Sequence, residues 1–140
     1  MKKIVGILAI CAVFVTFGFD DARSFSDSKT AKFTVEYTFK GIVEGYDHEN
    51  KTELYIDGKL VATSTVKKET EKNSVSAEVT RGRHDVKVIN YAYYEGSWEE
   101  HTIANNYSID CLYNDNLNIK KKNTKLKLLF DVDSGTKVVK

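Results

Sequence analysis

The chain has no proline, one methionine, one tryptophan and two cysteines among its 140 residues. Without proline, sheet edges must be protected by charge and bulges. Two cysteines, one of them Cys11 near the start, are too few for a disulfide scaffold. The formal net charge is only +1, which gives no general electrostatic attraction to nucleic acid or to an anionic membrane. Beyond Phe19 no stretch sustains the apolar period of a helix. No strong catalytic motif and no zinc-ligand spacing is present.

What is present begins at the N-terminus. Met1-Lys2-Lys3 precedes an apolar run from Ile4 to Phe19, and polarity returns at Asp20-Asp21-Ala22-Arg23-Ser24. A basic start, a short apolar stretch and a small-residue exit describe a secretory signal peptide over residues 1–24. The run is shorter than the ~20 residues of a membrane-spanning helix, so no permanent span is expected. Ala22-Arg23-Ser24 places cleavage before Phe25, and Thr16-Phe17-Gly18 offers a second exit. Leu8-Ala9-Ile10-Cys11 approaches a lipidation box, but Ile10 is bulky where that box takes a small residue, and the apolar run continues past Cys11. The expected location is exported: periplasm, cell surface or extracellular.

Removing the signal takes three basic and two acidic residues from totals of 21 and 20, leaving 18 of each. It also leaves Cys111 alone, so the mature monomer has no internal disulfide. Between Ile109 and Leu112-Tyr113, Cys111 reads as a buried small hydrophobe. Lys120-Lys121-Lys122, with Lys125 and Lys127, reads as a solvated turn and strand edge.

Residues 25–31 read as a flexible lead and 32–140 as one domain. Phe33, Val35, Tyr37 and Phe39 alternate with polar residues as a strand with one buried face. Leu54-Tyr55-Ile56-Asp57-Gly58-Lys59-Leu60-Val61 is a hairpin whose Asp-Gly supplies positive φ angles. Lys67 to Asn73 is a charged connection. Val75, Ala77 and Val79 alternate again, as do Leu126, Leu128, Phe130 and Val132. His84 to Tyr94 forms a longer strand. In continuous register it turns Asn90, Ala92 and Tyr94 inward and Ile89, Tyr91 and Tyr93 outward. A bulge near Ile89-Asn90 would bury the larger residues instead. Trp98 to Asp110 is expected to be mostly extended, with Trp98, Ile103, Tyr107 and Ile109 as core candidates and Asn105-Asn106 as a break. About eight strands separated by turns predict an all-β fold, an antiparallel β-sandwich.

The order Leu54 to Ser64, then Val75-Ser76-Ala77-Glu78-Val79, then Arg81 to Val88 resembles PEGA-type and related immunoglobulin-like modules of bacterial envelope proteins. Their "VDGK-V-T" hairpin is followed by a "G-H-V-V" strand. The resemblance covers residues 53–94, without the proline usual after the Thr and with a longer spacing between the two halves. It implies an exported, non-enzymatic, immunoglobulin-like β module and carries over no functional residue.

The chemistry-bearing residues are few. His48, His84 and His101 show no short ligand spacing. A pairing of Cys111 with His84 or His101 would have to arise in space rather than in sequence. Asp131 and Asp133 in Asp131-Val132-Asp133-Ser134-Gly135 are weak metal candidates, since Gly comes too early for a calcium loop and no Glu follows. Aromatic side chains gather around one hairpin, Tyr91, Tyr93, Tyr94 and Trp98, with Tyr46 and Tyr107 as possible neighbours. Such rings stack on sugars and anchor protein partners. The expected function is a non-catalytic binding module for an envelope protein or glycan, through that hairpin or a sheet edge, with no cofactor. The alternatives are a structural subunit assembling by strand addition and a small thiol hydrolase using Cys111.

Overall fold

The computed structural model describes residues 29–140. The expected signal segment, Cys11, both cleavage points and residues 25–28 of the lead lie outside the described residues. The strands in chain order are β1 (Thr30–Lys40), β2 (Glu49–Ile56), β3 (Lys59–Thr63), β4 (Lys67–Lys68), β5 (Asn73–Thr80), β6 (Gly82–Tyr94), β7 (Ser97–Glu100), β8 (Leu112–Ile119), β9 (Asn123–Asp131) and β10 (Gly135–Val139). Among the described residues a 3-10 turn, Ile103–Asn105, interrupts them. No helix among the described residues is long and apolar enough to cross a membrane.

The strands form two sheets. In the first, the order is β10-β9-β1-β5. Here β1 lies antiparallel to β5 and parallel to β9, from Lys32 opposite Asn123 to Lys40 opposite Asp131. The second follows β3-β2-β6-β7, with β4 also on β2 and β8 also on β6. The inner faces meet in one core, where Phe33, Val35 and Phe130 of the first sheet pack with Leu54, Val86 and Val88 of the second. Each such side chain contributes roughly 1.5–3 kcal/mol by leaving water. The period-2 patterns of β1 and β9 predict this directly. β1 also takes in Thr30 and Ala31, two residues of the segment read as a lead.

The hairpin at Asp57-Gly58 forms as expected, with φ of 51° and 80°. Both angles are positive, as a two-residue turn matching strand twist requires. A register shift between β2 and β3 falls at Leu54/Tyr55. In contrast, β6 pairs with β2 without a shift from Val86 to Ala92. The continuous register therefore holds, and Asn90 and Ala92 point inward, fully buried, but Tyr94, expected inward, is 47 % exposed where the strand ends, and Ile89, expected outward, is buried. Asn90 is accommodated by hydrogen bonds. Its Nδ2 donates to Asn50 Oδ1 at 2.9 Å and to Thr52 Oγ1 at 3.0 Å.

Trp98 to Asp110 departs from expectation. β7 and β8 lie on the same edge of β6, β7 opposite Tyr91–Tyr94 and β8 opposite Gly82–Ile89. They are one return strand broken by an excursion over residues 101–111. The excursion is clipped at its base: Cys111 N donates to His101 O at 2.8 Å, His101 N to Asn90 O at 2.9 Å, and Asn90 N to Cys111 O at 3.1 Å. A compact loop with adjoining ends is an Ω-loop. Asn106 takes the left-handed conformation after the 3-10 turn, so the expected break is there. Ile103 is exposed rather than core, because the loop lifts it off the sheet. Trp98 is half-buried on the outer face against Tyr93, not in the core.

A cleft at one end of the two sheets

One end of the fold gathers the ends of β1, β6 and β9 and the start of β2. The 41–48 connection and the Ω-loop rise there and enclose a cleft of about 680 Å³. Tyr46, Tyr94 and Tyr107 line it, with His48, His101, Glu69 and Glu99. Gly41 shapes one wall. Its φ is +85°, and a Cβ there would sit 3.1 Å from the Cβ of Val132.

Glu69 forms the floor. It follows β4, which pairs with the first two residues of β2, and Glu69 N donates to His48 O at 3.1 Å. This pairing draws its side chain inside, where it is 1 % exposed. Oε1 lies 3.2 Å from His101 Nδ1 and 3.7 Å from His48 Nδ1. Both distances are within ion-pair range, yet neither contact has hydrogen-bond geometry, and neither carboxylate oxygen has a hydrogen-bond partner among the described residues. A buried carboxylate without donors is costly and marks a place that calls for explanation.

Rings link this floor to the core. Phe130 lies 5.0 Å from Phe39, Phe39 lies 5.6 Å from His101, and His101 lies 4.4 Å from Tyr107, centroid to centroid. His48 meets Tyr94 and Tyr107 edge-on, both at 5.8 Å. Tyr107 donates its hydroxyl to Glu99 Oε2 at 3.2 Å. Burial, reinforced by Glu99, pushes its pKa up to about 12. At the mouth, Tyr46 is 66 % and Tyr94 47 % exposed.

The four hairpin aromatics separate. Tyr94 joins the cleft, as do Tyr46 and Tyr107. Tyr91, Tyr93 and Trp98 lie on the outer face of the second sheet. Tyr93 and Trp98 pair at 5.1 Å, and Lys51 Nζ sits 4.7 Å from the Trp98 ring and 5.9 Å from that of Tyr91. The other candidates are occupied by the fold. Asp131 pairs with Lys40 at 3.3 Å and accepts from Asp133 N at 3.1 Å. Asp133 itself is exposed. Among the described residues no set of three or more His, Cys, Asp or Glu side chains is placed to hold a metal ion. Cys111 is fully buried, and burial, with the charges of Glu69 and Asp110, holds its thiol far above the usual range. That opposes thiolate formation. His84 is engaged elsewhere, Nδ1 at 2.7 Å from Asp57 Oδ2 and Nε2 at 2.7 Å from Thr80 O.

Sequence reasoning missed Glu69, His48 and His101 as a group. Glu69 lies in a charged connection between Lys68 and Thr70, and no local pattern distinguishes it from a solvated residue. Only the pairing of β4 with β2 turns it inward. Comparison with protein-family models, with curated proteins and with solved structures finds no match.

Proposed function

We propose that this is an exported, non-catalytic binding module of the cell envelope or secreted fraction, built on an immunoglobulin-like β-sandwich of PEGA type. It recognises a protein or glycan partner through the cleft at the end of the sheets. The observation that carries this reading is the cleft itself: exposed rings stand at its mouth, Tyr46 on the 41–48 connection and Tyr94 at the end of β6. Exposed aromatic faces at a concave site are suited to partner capture. The high thiol pKa and full burial of Cys111 speak against nucleophilic catalysis at that residue.

The test is capture by the immobilised protein of solubilised envelope proteins and, separately, of cell-wall and capsular polysaccharides. A partner held by the native protein and lost by a folded Tyr46→Ala/Tyr94→Ala variant supports the reading. A partner held equally by both removes the cleft as the site. A second reading, assembly by strand addition, is favoured by the exposed apolar residues of two edge strands, Leu60 and Val61 on β3 and Val138 and Val139 on β10. Unpaired edges of this kind template further pairing. It requires concentration-dependent oligomers in sedimentation velocity, and a monomer at all concentrations would dispose of it.

A further inference from the structure

We infer that the cleft takes an organic ammonium group, the chemistry of a lysine side chain or a polyamine. Glu69 and Glu99 supply the charge, and the rings of Tyr46 and Tyr94 supply the faces. The inference rests on the binding-module reading and gives that site its ligand class.

Charge is the first argument. Among the described residues two carboxylates line the cleft, and no lysine or arginine does. An anionic ligand would meet repulsion there, and a cation would meet attraction strengthened by the low dielectric at the floor. The second argument is Glu69. Its side chain is 1 % exposed, and among the described residues neither oxygen has a hydrogen-bond donor. A cation seated in the cleft above stabilises such a carboxylate through space, without touching it. The third is the aromatic rim. Tyrosine faces attract cations through the ring quadrupole, and Tyr46 and Tyr94 are the exposed rings of the cleft. A metal ion is the poorer fit, because no three ligating side chains converge among the described residues. The competing internal partner is the His101 imidazole, whose Nδ1 lies 3.2 Å from Glu69 Oε1.

The experiment is isothermal titration of the whole protein with spermidine, with a capped lysine, and with the same lysine acetylated at Nζ. The expected result is binding of one or both ammonium probes and none of the acetylated one. Glu69→Gln and Glu99→Gln should each weaken binding about tenfold, as the loss of one charge partner does. Thermal melting separates function from folding. Glu69→Gln is expected to leave the midpoint unchanged or raised, since it removes a buried charge without donors. Ammonium binding intact in both Glu69→Gln and Glu99→Gln, whatever the midpoint, would overturn the inference, since neither carboxylate would then supply the charge. Equal binding of the acetylated probe would overturn the charge requirement while leaving the cleft as a binding site. Failure of every probe, with partner capture still dependent on Tyr46 and Tyr94, would overturn the ammonium inference alone. Failure of capture as well would overturn both. Tighter spermidine binding indicates a polyamine source, and tighter capped-lysine binding a protein-borne one.

Discussion

Glu69 Oε1 and His101 Nδ1 lie 3.2 Å apart, joining the residue after a two-residue edge strand to the first residue of the Ω-loop. The contact brings together two segments that each interrupt the regular sheets. Both are held by backbone bonds, Glu69 to His48 and His101 to Asn90 and Cys111. The cleft is thus a rigid consequence of how the second sheet ends. The ring series Phe130, Phe39, His101, Tyr107 extends the core into its wall.

The inward polar cluster of the second sheet should be important to stability. Asn90→Ala removes the donor to Asn50 and Thr52 and leaves their buried oxygens without it. The expected cost is about 2–3 kcal/mol, measured by urea unfolding. A loss below about 1 kcal/mol would mean that water or rearrangement satisfies these groups.

The hairpin clasp between Asp57 and His84 should make stability pH-dependent. Both ring nitrogens of His84 face acceptors, so the doubly protonated imidazole satisfies both. The Asp57 hydrogen bond, aided by Thr80, holds the His84 pKa above its ordinary 6.5 against the opposing effect of burial. Its contribution is complete below 6.5 and is lost as pH rises through the raised folded value. The same hydrogen bond holds Asp57 below 3.8. That contribution is present above 3.8 and is lost as pH falls through the lowered folded value. Asp57→Asn keeps a residue that tolerates the turn's positive φ. Its melting point should fall further below the native one at pH 5 than at pH 9. An equal deficit at both would show that the charge on the clasp is unimportant.

Cys111 should resist alkylation in the native protein and react fully in denaturant, as a buried thiol held in its neutral form does. Electrospray mass after iodoacetamide treatment reads this directly. Rapid modification of the folded protein at neutral pH would contradict the burial of Cys111 and revive the thiol hydrolase.

Much of the fold was legible in the sequence because one-sided burial imposes alternation. β1, β5 and β9 follow from Phe33-Val35-Tyr37, Val75-Ala77-Val79 and Leu126-Leu128-Phe130, and the hairpin from Asp57-Gly58. Pairing was not legible. The parallel match of β1 with β9 joins segments far apart in the chain, and period-2 patterns carry no partner information. The two-residue β4 is too short for any pattern. The apolar spacing from Trp98 to Ile109 imitates one continuous strand, while the backbone bonds at Asn90 end β7 at Glu100 and make residues 101–111 a loop. Tyr46, Tyr94 and Tyr107 were visible as residues. Their meeting place depends on that loop, and Glu69 had no signal at all.

The most direct test of the cleft as the recognition site is hydroxyl-radical footprinting with and without the captured partner. Tyr46, Tyr94 and Tyr93 are 66 %, 47 % and 41 % exposed, so all three are labelled in the free protein. The account predicts that the partner protects Tyr46 and Tyr94 while Tyr93 and Trp98 stay labelled. Protection of Tyr93 and Trp98 with Tyr46 and Tyr94 unchanged would contradict it and return the site to the outer face of the hairpin.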